Sequence, residues 1–178
     1  MSATPRVAFR RLTADDLPQL CTWFAEPAVA RWWNMPATLD AVTEKYAPRI
    51  AGIEPTRMWI VEVDGVRAGL LQSYWHRDYP AHDASLGIAD AVGIDYLIGG
   101  SHRGRGFASR VLGDFVAFVL LEYPEASVVV ATPAQANAAS WRALERAGFV
   151  RVGTCQPPGE PPAFAYASRR SDRADTDA

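Results

Sequence analysis

The sequence predicts an α+β (mixed α/β) fold in which a central twisted mixed sheet is flanked by helices. Local patterns give the element order β-α-α-β-β-β-α-β-α-β-β, and this interleaving favours a mixed sheet with helices packed against it. The 178 residues are 49% hydrophobic and 21% charged, which is typical of a fold with a real buried core. We expect one domain over residues 1–168 and a disordered, charged tail over residues 169–178.

The first elements are predicted from alternation and capping residues. Residues 6–12 alternate as a strand does. Thr13 stands three residues before Asp16, an acidic variant of the capping box, and this predicts a helix over residues 14–25. The aromatic segment at residues 31–36 contains a proline and is predicted to be a loop.

The middle of the chain is predicted to hold a helix followed by a hairpin. The helix covers residues 39–50, and the dipeptide Asp64-Gly65 is a two-residue turn signal between strands at residues 58–63 and 66–75. Residues 76–90 are polar, contain Pro80 and are predicted to be a loop.

The C-terminal half alternates strands with two helices. Apolar residues recur at helical spacing over residues 108–121, and Asn137 can cap a helix that ends at Gly148. The remaining predicted strands comprise residues 93–98, 127–131, 150–154 and 163–168, with a Pro/Gly-rich loop at residues 156–162.

Charge and cysteine content exclude several classes of function. With 18 Lys+Arg against 20 Asp+Glu, the net charge of −2 argues against nucleic acid as the main partner. No apolar run approaches the roughly 18 residues of a membrane span, and the N-terminus does not read as a signal peptide. The two cysteines and three scattered histidines match neither a disulfide framework nor a metal site. We therefore expect a cytoplasmic protein, monomer or homodimer, without a metal.

The segment between Ile98 and Ala108 carries the strongest chemical signal. Gly104 and Gly106 allow a sharp turn between a strand and a long helix, and successive N–H groups beside a helix N-terminus suit a phosphate. Arginines add positive charge, and no acid occurs between residues 99 and 113. Taken alone, the segment could equally be a tight turn with solvated arginines.

Two blocks resemble the GCN5-related N-acetyltransferase (GNAT) superfamily. Arg103-x-x-Gly106-x-Ala108 looks like its (Q/R)xxGx(G/A) signature, and Asn137-x-x-Ser140 with residues 144–149 resembles its NxxSxxxYExxGF element. The resemblance implies a GNAT fold and an acetyl-CoA co-substrate, with the pyrophosphate on the glycine-rich loop and the pantetheine arm along the preceding strand. The cofactor-binding residues it implies are Tyr96, Leu97, Ile98, Arg103, Gly104, Arg105, Gly106, Phe107, Ala108, Ser109, Asn137 and Ser140.

Within that superfamily, the chain looks most similar to the aminoglycoside 6'-N-acetyltransferases. The matches are collinear from about residue 7 to residue 168 and include Gly93-Ile94-Asp95, where those enzymes carry the catalytic Asp. The resemblance implies transfer of acetyl to a primary amine of an aminoglycoside in a ternary complex, in the setting of antibiotic resistance. The implied substrate-binding residues are Trp33, Tyr46, Gln72, Ser73, Tyr74, Asp83, Asp95, Thr132 and Glu160.

The chemistry of acetyl transfer to an amine requires acidic side chains for reasons that do not depend on the resemblance. An alkylamine is mostly protonated at pH 7 and must lose a proton before it attacks a thioester, so a carboxylate such as Asp95 can serve as the base. Four Asp against one Arg between residues 76 and 100 would also attract a polycation. Bland alternatives are a strand-end Asp95 bonded to backbone, a solvated Asp83, and Trp33 and Tyr46 as core aromatics rather than a wall for sugar rings.

Two departures from the family pattern keep other acceptors open. Leu144 replaces the Tyr that can protonate the departing thiolate, and Thr132 replaces an acceptor-binding Asp. The alternatives are an N-acyltransferase of another small amine, such as the lysine-derived side chain of a siderophore precursor, and a non-catalytic acyl-CoA-binding module. The siderophore branch places His where Asp95 stands, which favours the aminoglycoside hypothesis.

Overall fold

The described residues, 5–104 and 106–174, form a mixed sheet with helices in a computed structural model. Seven strands of these residues follow the order β1-β2-β3-β4-β5-β7-β6. The strands are β1 Val7–Arg11, β2 Arg57–Val63, β3 Val66–Trp75, β4 Ala91–Ile98, β5 Val128–Ala131, β6 Val150–Cys155 and β7 Ala163–Arg169. The helices are α1 Leu17–Phe24, α2 Pro27–Trp33, α3 Leu39–Ile50, α4 Pro80–Leu86, α5 Phe107–Glu122, α6 Ala138–Arg146 and α7 Arg170–Ala174. None of these helices is long and apolar enough to cross a membrane.

The chain divides into two compact units, each built from two segments. Unit 1 holds residues 5–72 and 96–104, and unit 2 holds residues 73–95 and 106–174. The expectation of a single domain over residues 1–168 stays a prediction.

Unit 1 has an apolar core formed by α1, α2, α3 and residues of β2, β3 and β4. Antiparallel pairing of β1 with β2 places Phe9 opposite Val61, and Leu20 on α1 is fully buried. The turn between β2 and β3 uses Asp64 at φ 50° and Gly65 at φ 80°, the left-handed values that a type I′ hairpin requires. The capping box ahead of α1 is present, with Thr13 and Asp16 in the predicted positions.

Unit 2 is built around β5 and the buried face of α5. All four residues of β5 are buried between β4, which runs parallel to it, and β7, which runs antiparallel. The apolar stripe of α5 is fully buried at Val111, Phe115 and Val119, as the helical spacing predicts. Gly148 follows α6 with φ 90°, the expected conformation at a helix C-terminus.

The structure differs from the predicted elements in two loops. Residues 31–36 were predicted to be a loop, but α2 runs through Trp33, because Pro27 at the first helical position favours a helix start. The loop predicted at residues 76–90 contains a 3₁₀ turn at His76–Asp78 and then α4, again with a proline at its first position.

The predicted tail also differs over its first residues. Arg169 ends β7, and Arg170 begins α7. The Arg170 guanidinium donates to the carbonyls of Leu120 and Ala126 at 2.9 and 3.0 Å, which ties the segment to unit 2. Residues 175–178 lie outside the described residues.

Candidate active site

Asp95 lies on β4 in unit 2, just beyond the point where β4 stops pairing with β5. The parallel pairing covers Ala91–Gly93 and ends at Gly93 opposite Val130, two residues before Asp95. Asp95 is half-buried, and the hydroxyl of Tyr74 donates a hydrogen bond to its carboxylate. Burial raises the pKa of Tyr74 well above its usual value, and the negative charge of Asp95 adds to that rise. Tyr74 is therefore a neutral donor that orients Asp95 at physiological pH.

Two further carboxylates act electrostatically on the surroundings of Asp95. Partial burial and then the charge of Asp95 raise the pKa of Glu160, which lies in the exposed loop between β6 and β7, while His82 lowers it. Asp83, half-buried on α4, acts on the same group of residues through His76. In unit 2 the charge of Asp95 thus acts on Glu160, and the charges of Asp83 and Asp95 both act on His76. We call Asp95, Glu160 and Asp83 the acidic region.

Ser73 is the residue in this group whose predicted role does not fit the structure. Its side chain is fully buried, and its hydroxyl lies 3.2 Å from the hydroxyl of Tyr123, which also donates to the Ser73 carbonyl at 3.1 Å. Because neighbouring residues of a strand point to opposite faces, Ser73 faces the interior where Tyr74 faces Asp95. In this structure Ser73 is a packing residue.

Thr132, another predicted substrate-binding residue, directly follows β5 and is half-buried.

The predicted aromatic wall lies in unit 1, where one of its two residues belongs to the core. Tyr46 is 1% exposed, and its ring stacks on Phe24 at 5.9 Å between centroids. Trp33 is half-buried and donates from its indole nitrogen to the Tyr46 hydroxyl at 3.0 Å. Burial favours the core interpretation for Tyr46, whereas Trp33 keeps part of its ring exposed. Gln72 accepts a hydrogen bond from Arg49 at 2.9 Å.

The unit 1 part of the glycine-rich loop is held by Glu26, a residue that the sequence analysis missed. Glu26 accepts a hydrogen bond from the backbone N–H of Gly100 at 3.2 Å and forms an ion pair with Arg103. Gly99 is required for packing, since an added Cβ would lie 2.4 Å from the indole nitrogen of Trp23. The Glu26 carboxylate therefore occupies two donors, the Gly100 N–H and the Arg103 guanidinium, that could otherwise bind a phosphate.

The unit 2 part of the loop leads into the N-terminus of α5. Gly106 has φ 75°, and an added Cβ would meet no atom within 4 Å, so the space above it is open. The first turn of α5 consists of Phe107, Ala108 and Ser109, and this turn contains no acidic residue. The first N–H groups of any helix have no acceptor within the helix, and the helix dipole favours an anion beside them. This arrangement fits a diphosphate. The predicted cofactor residue Arg105 lies outside the described residues.

The other predicted cofactor residues have structural roles that the sequence also anticipated. Asn137 caps α6, its side-chain oxygen accepting from the N–H of Ser140 at 3.2 Å. Leu144 on the same helix is fully buried, so no acid is available at that position. In unit 1, Tyr96, Leu97 and Ile98 end β4; an added Cβ at Gly69 would lie 2.3 Å from the Leu97 carbonyl oxygen.

The structure also places His76 against Tyr74, a contact that the sequence analysis did not predict. His76 is 4% exposed, and only its neighbours in space explain this burial, because the local sequence is polar. Across the residues that the structure describes, no three His, Cys, Asp or Glu side chains are grouped as ligands of a metal ion.

Comparisons with known proteins agree with this geometry. The profile of the family described as "Acetyltransferase (GNAT) domain" matches residues 13–156. No curated protein matches the chain significantly. A crystal structure of aminoglycoside acetyltransferase AAC(6')-Ib with coenzyme A and kanamycin is 28% identical, with a TM-score of 0.83 and coverage of 97% of this chain and 100% of that one.

Two further structures share the fold. An uncharacterized protein from Bacillus halodurans is 21% identical, with a TM-score of 0.81 and coverage of 97% and 90%. A chimera of spermidine N-acetyltransferase SpeG from Vibrio cholerae is 17% identical, with a TM-score of 0.73 and coverage of 95% and 98%.

Proposed function

Since the chain belongs to the GNAT family of acetyl-CoA-dependent N-acetyltransferases, we propose that it transfers an acetyl group to a primary amine of an aminoglycoside, with Asp95 as the base. The observation that carries this proposal is the acidic region of unit 2, where the charge of Asp95 acts on Glu160 and the charges of Asp95 and Asp83 both act on His76. The 28% identity to AAC(6')-Ib, which was crystallised with coenzyme A and kanamycin, supports the same class of acceptor.

Acetyl-CoA supplies the acetyl group as a reactive thioester. On this chain, the N-terminus of α5 and the open space above Gly106 suit its diphosphate. Arg103 would contribute positive charge from the preceding loop once released from Glu26. These residues bind and orient the co-substrate and take no part in proton transfer.

The acceptor amine arrives as a cation, and the acidic region both attracts it and removes its proton. Asp95 accepts one proton from the ammonium group, and the freed nitrogen lone pair forms the N–C bond as the C–S bond breaks. The acylated nitrogen then releases its second proton to solvent, which leaves the neutral amide. The electron pair of the broken bond leaves with sulfur. The thiolate takes its proton from solvent, because the position of the family's Tyr is occupied by buried Leu144.

A second candidate is an N-acyltransferase of a smaller amine. Thr132 favours it, since the acceptor-binding Asp of the aminoglycoside enzymes is missing there and the region carries one negative charge fewer. A lysine-derived side chain, with a single ammonium group, would need fewer acidic partners than a multiply charged amino sugar.

A thiol-release assay distinguishes the candidates. The purified chain is given acetyl-CoA with kanamycin, tobramycin, spermidine or a lysine-type amine, and coenzyme A release is followed. We expect release that depends on the aminoglycoside and falls by about 10²-fold or more in Asp95→Asn, the scale of a lost general base. The control Asp90→Asn changes an exposed acid that precedes the same strand and should keep full activity. Release with the other amines alone would identify the second candidate. Equal rates for Asp95→Asn and the control would show that Asp95 is not the general base.

A further inference from the structure

His76 is buried at the end of β3 with one ring nitrogen that has no partner. The residue is 4% exposed, and its Nδ1 atom has no hydrogen-bond partner among the residues that the structure describes. Buried polar atoms are nearly always satisfied, so an unsatisfied one that faces Asp83 and Asp95 calls for an explanation. Ordinary packing would be served better by a Leu or Phe at this position.

The imidazole is one side of a clamp on the ring of Tyr74. The ring centroids of His76 and Tyr74 lie 5.6 Å apart, and Tyr79 packs edge-on against Tyr74 at 5.3 Å. Gly93 on β4 provides the floor of the clamp. A Cβ there would lie 2.6 Å from Tyr74 Cε2 and 2.9 Å from His76 Nε2, so only glycine admits both rings.

The clamped ring has one polar contact of chemical consequence, since its hydroxyl donates to Asp95. We propose that His76 is a positioning residue for Asp95: with Tyr79 and Gly93 it holds Tyr74 so that the phenol orients the carboxylate. The proposal rests on the proposed function in taking Asp95 as the base. A side chain that must both pack against an aromatic ring and tolerate neighbouring carboxylates is better an imidazole than a hydrocarbon.

Burial keeps His76 neutral near neutral pH, and three titratable groups face its ring. They are Asp83 and His82 on α4 and Asp95 on β4. Burial lowers the pKa of His76 from its usual value, the two carboxylates oppose this, and His82 adds to the lowering. Protonation below that pKa would place a cation beside Asp95, where it would compete with the acceptor ammonium. The amine KM should therefore rise on the acid side. This rise should be smaller in His76→Phe, which keeps Glu160 but lacks the imidazole.

Tyrosine titration tests the clamp without any substrate. The chain has six tyrosines, and phenolate formation is followed by ultraviolet absorbance up to pH 11. In the wild type, Tyr74 should remain protonated throughout. In His76→Ala the ring is released from Asp95, so one additional phenolate should form by pH 11. The increment should vanish in His76→Ala/Tyr74→Phe and should be absent from His76→Phe, which keeps a ring in the clamp.

Kinetics with whichever amine is acetylated give the second readout. We expect His76→Ala and Tyr74→Phe each to lower kcat about tenfold and the double variant to lower it about tenfold as well, because both remove one contact. His76→Phe should restore most of the loss at pH 8. A double variant about 100-fold slower would mean independent roles and would overturn the proposal, as would a His76→Ala titration identical to wild type.

A folding failure of His76→Ala is covered by Gly93→Ala, whose Cβ displaces Tyr74 from the other side and should yield the same additional phenolate. No additional phenolate in that variant would also overturn the clamp. If the wild type acetylates none of the amines, the proposed function fails while the titration still decides the clamp.

Discussion

Asp16 is the buried charge on which unit 1 depends most. It is fully buried, and its two carboxylate oxygens accept from Arg10 at 2.7 and 2.8 Å, from Arg67 at 2.7 Å, and from the backbone and hydroxyl of Thr13 at 2.9 and 3.0 Å. These bonds connect β1, the start of α1 and β3. Asp16→Ala removes all of them. Arg10 keeps its ion pair with Glu62 at 2.7 Å, whereas Arg67 loses the Asp16 carboxylate.

The expected loss in the free energy of unfolding follows from the type of contact that Asp16→Ala removes. Removing one partner of a buried ion pair costs about 3–5 kcal/mol. Arg10 and Arg67 are 35% and 42% exposed, so solvent screens part of the interaction and the lower end, about 3 kcal/mol, applies. For a chain of this length that corresponds to a fall in Tm of about 6–12 °C.

The assay is thermal unfolding of Asp16→Ala against Asp15→Ala, which removes the adjacent exposed acid. Bonding to Arg10 and Thr13 holds the pKa of Asp16 below its usual value despite burial, so its contribution is complete above the pKa of the unfolded chain, about 4. It is lost as pH falls through the lowered folded value. The difference in Tm should therefore narrow from pH 5 downwards. Equal Tm values for the two variants at pH 7 would refute the argument.

Three further predictions concern ligand binding. Gly106→Val should raise the KM for acetyl-CoA at least tenfold in steady-state kinetics, because the added side chain strains a φ of 75° and fills the open space. An unchanged KM would show that the diphosphate does not bind beside Gly106. Glu26→Gln should tighten coenzyme A binding several-fold in calorimetry, because it removes the anion that holds Arg103 and the Gly100 N–H; weaker binding would mean that Glu26 instead positions these donors. Glu160→Gln should raise the amine KM several-fold with little change in kcat, and the wild-type KM should rise as pH falls towards the raised pKa of Glu160; a loss confined to kcat would assign Glu160 to the chemical step.

Local patterns were sufficient for elements whose signal lies within a few residues. The hairpin at Asp64-Gly65 was predictable because its φ values are set by those two residues, and α5 because its apolar stripe repeats over four turns. α2 was missed, although Pro27 marks its start, because the following aromatic residues and Pro36 outweighed that signal.

Side-chain burial was the part that sequence could not supply. Tyr46 matched a substrate-binding position yet stacks on Phe24 in the core, and Ser73 faces Tyr123 because of the strand register alone. Glu26 had no local signal, since Gly100 is brought to it only by folding. The burial of His76 had none either, since Gly93 of β4 reaches its ring only in the folded sheet. Asp95 was the exception, because the family motif fixes its place on β4.

The central claim is that Asp95 removes the proton of an amine beside a thioester whose diphosphate lies at the N-terminus of α5. A crystal structure with coenzyme A and the best amine of the panel tests it most directly. We expect the diphosphate against residues 106–109 and the acceptor nitrogen within hydrogen-bond distance of the Asp95 carboxylate. A diphosphate bound elsewhere, or an acceptor nitrogen remote from Asp95, would contradict the account.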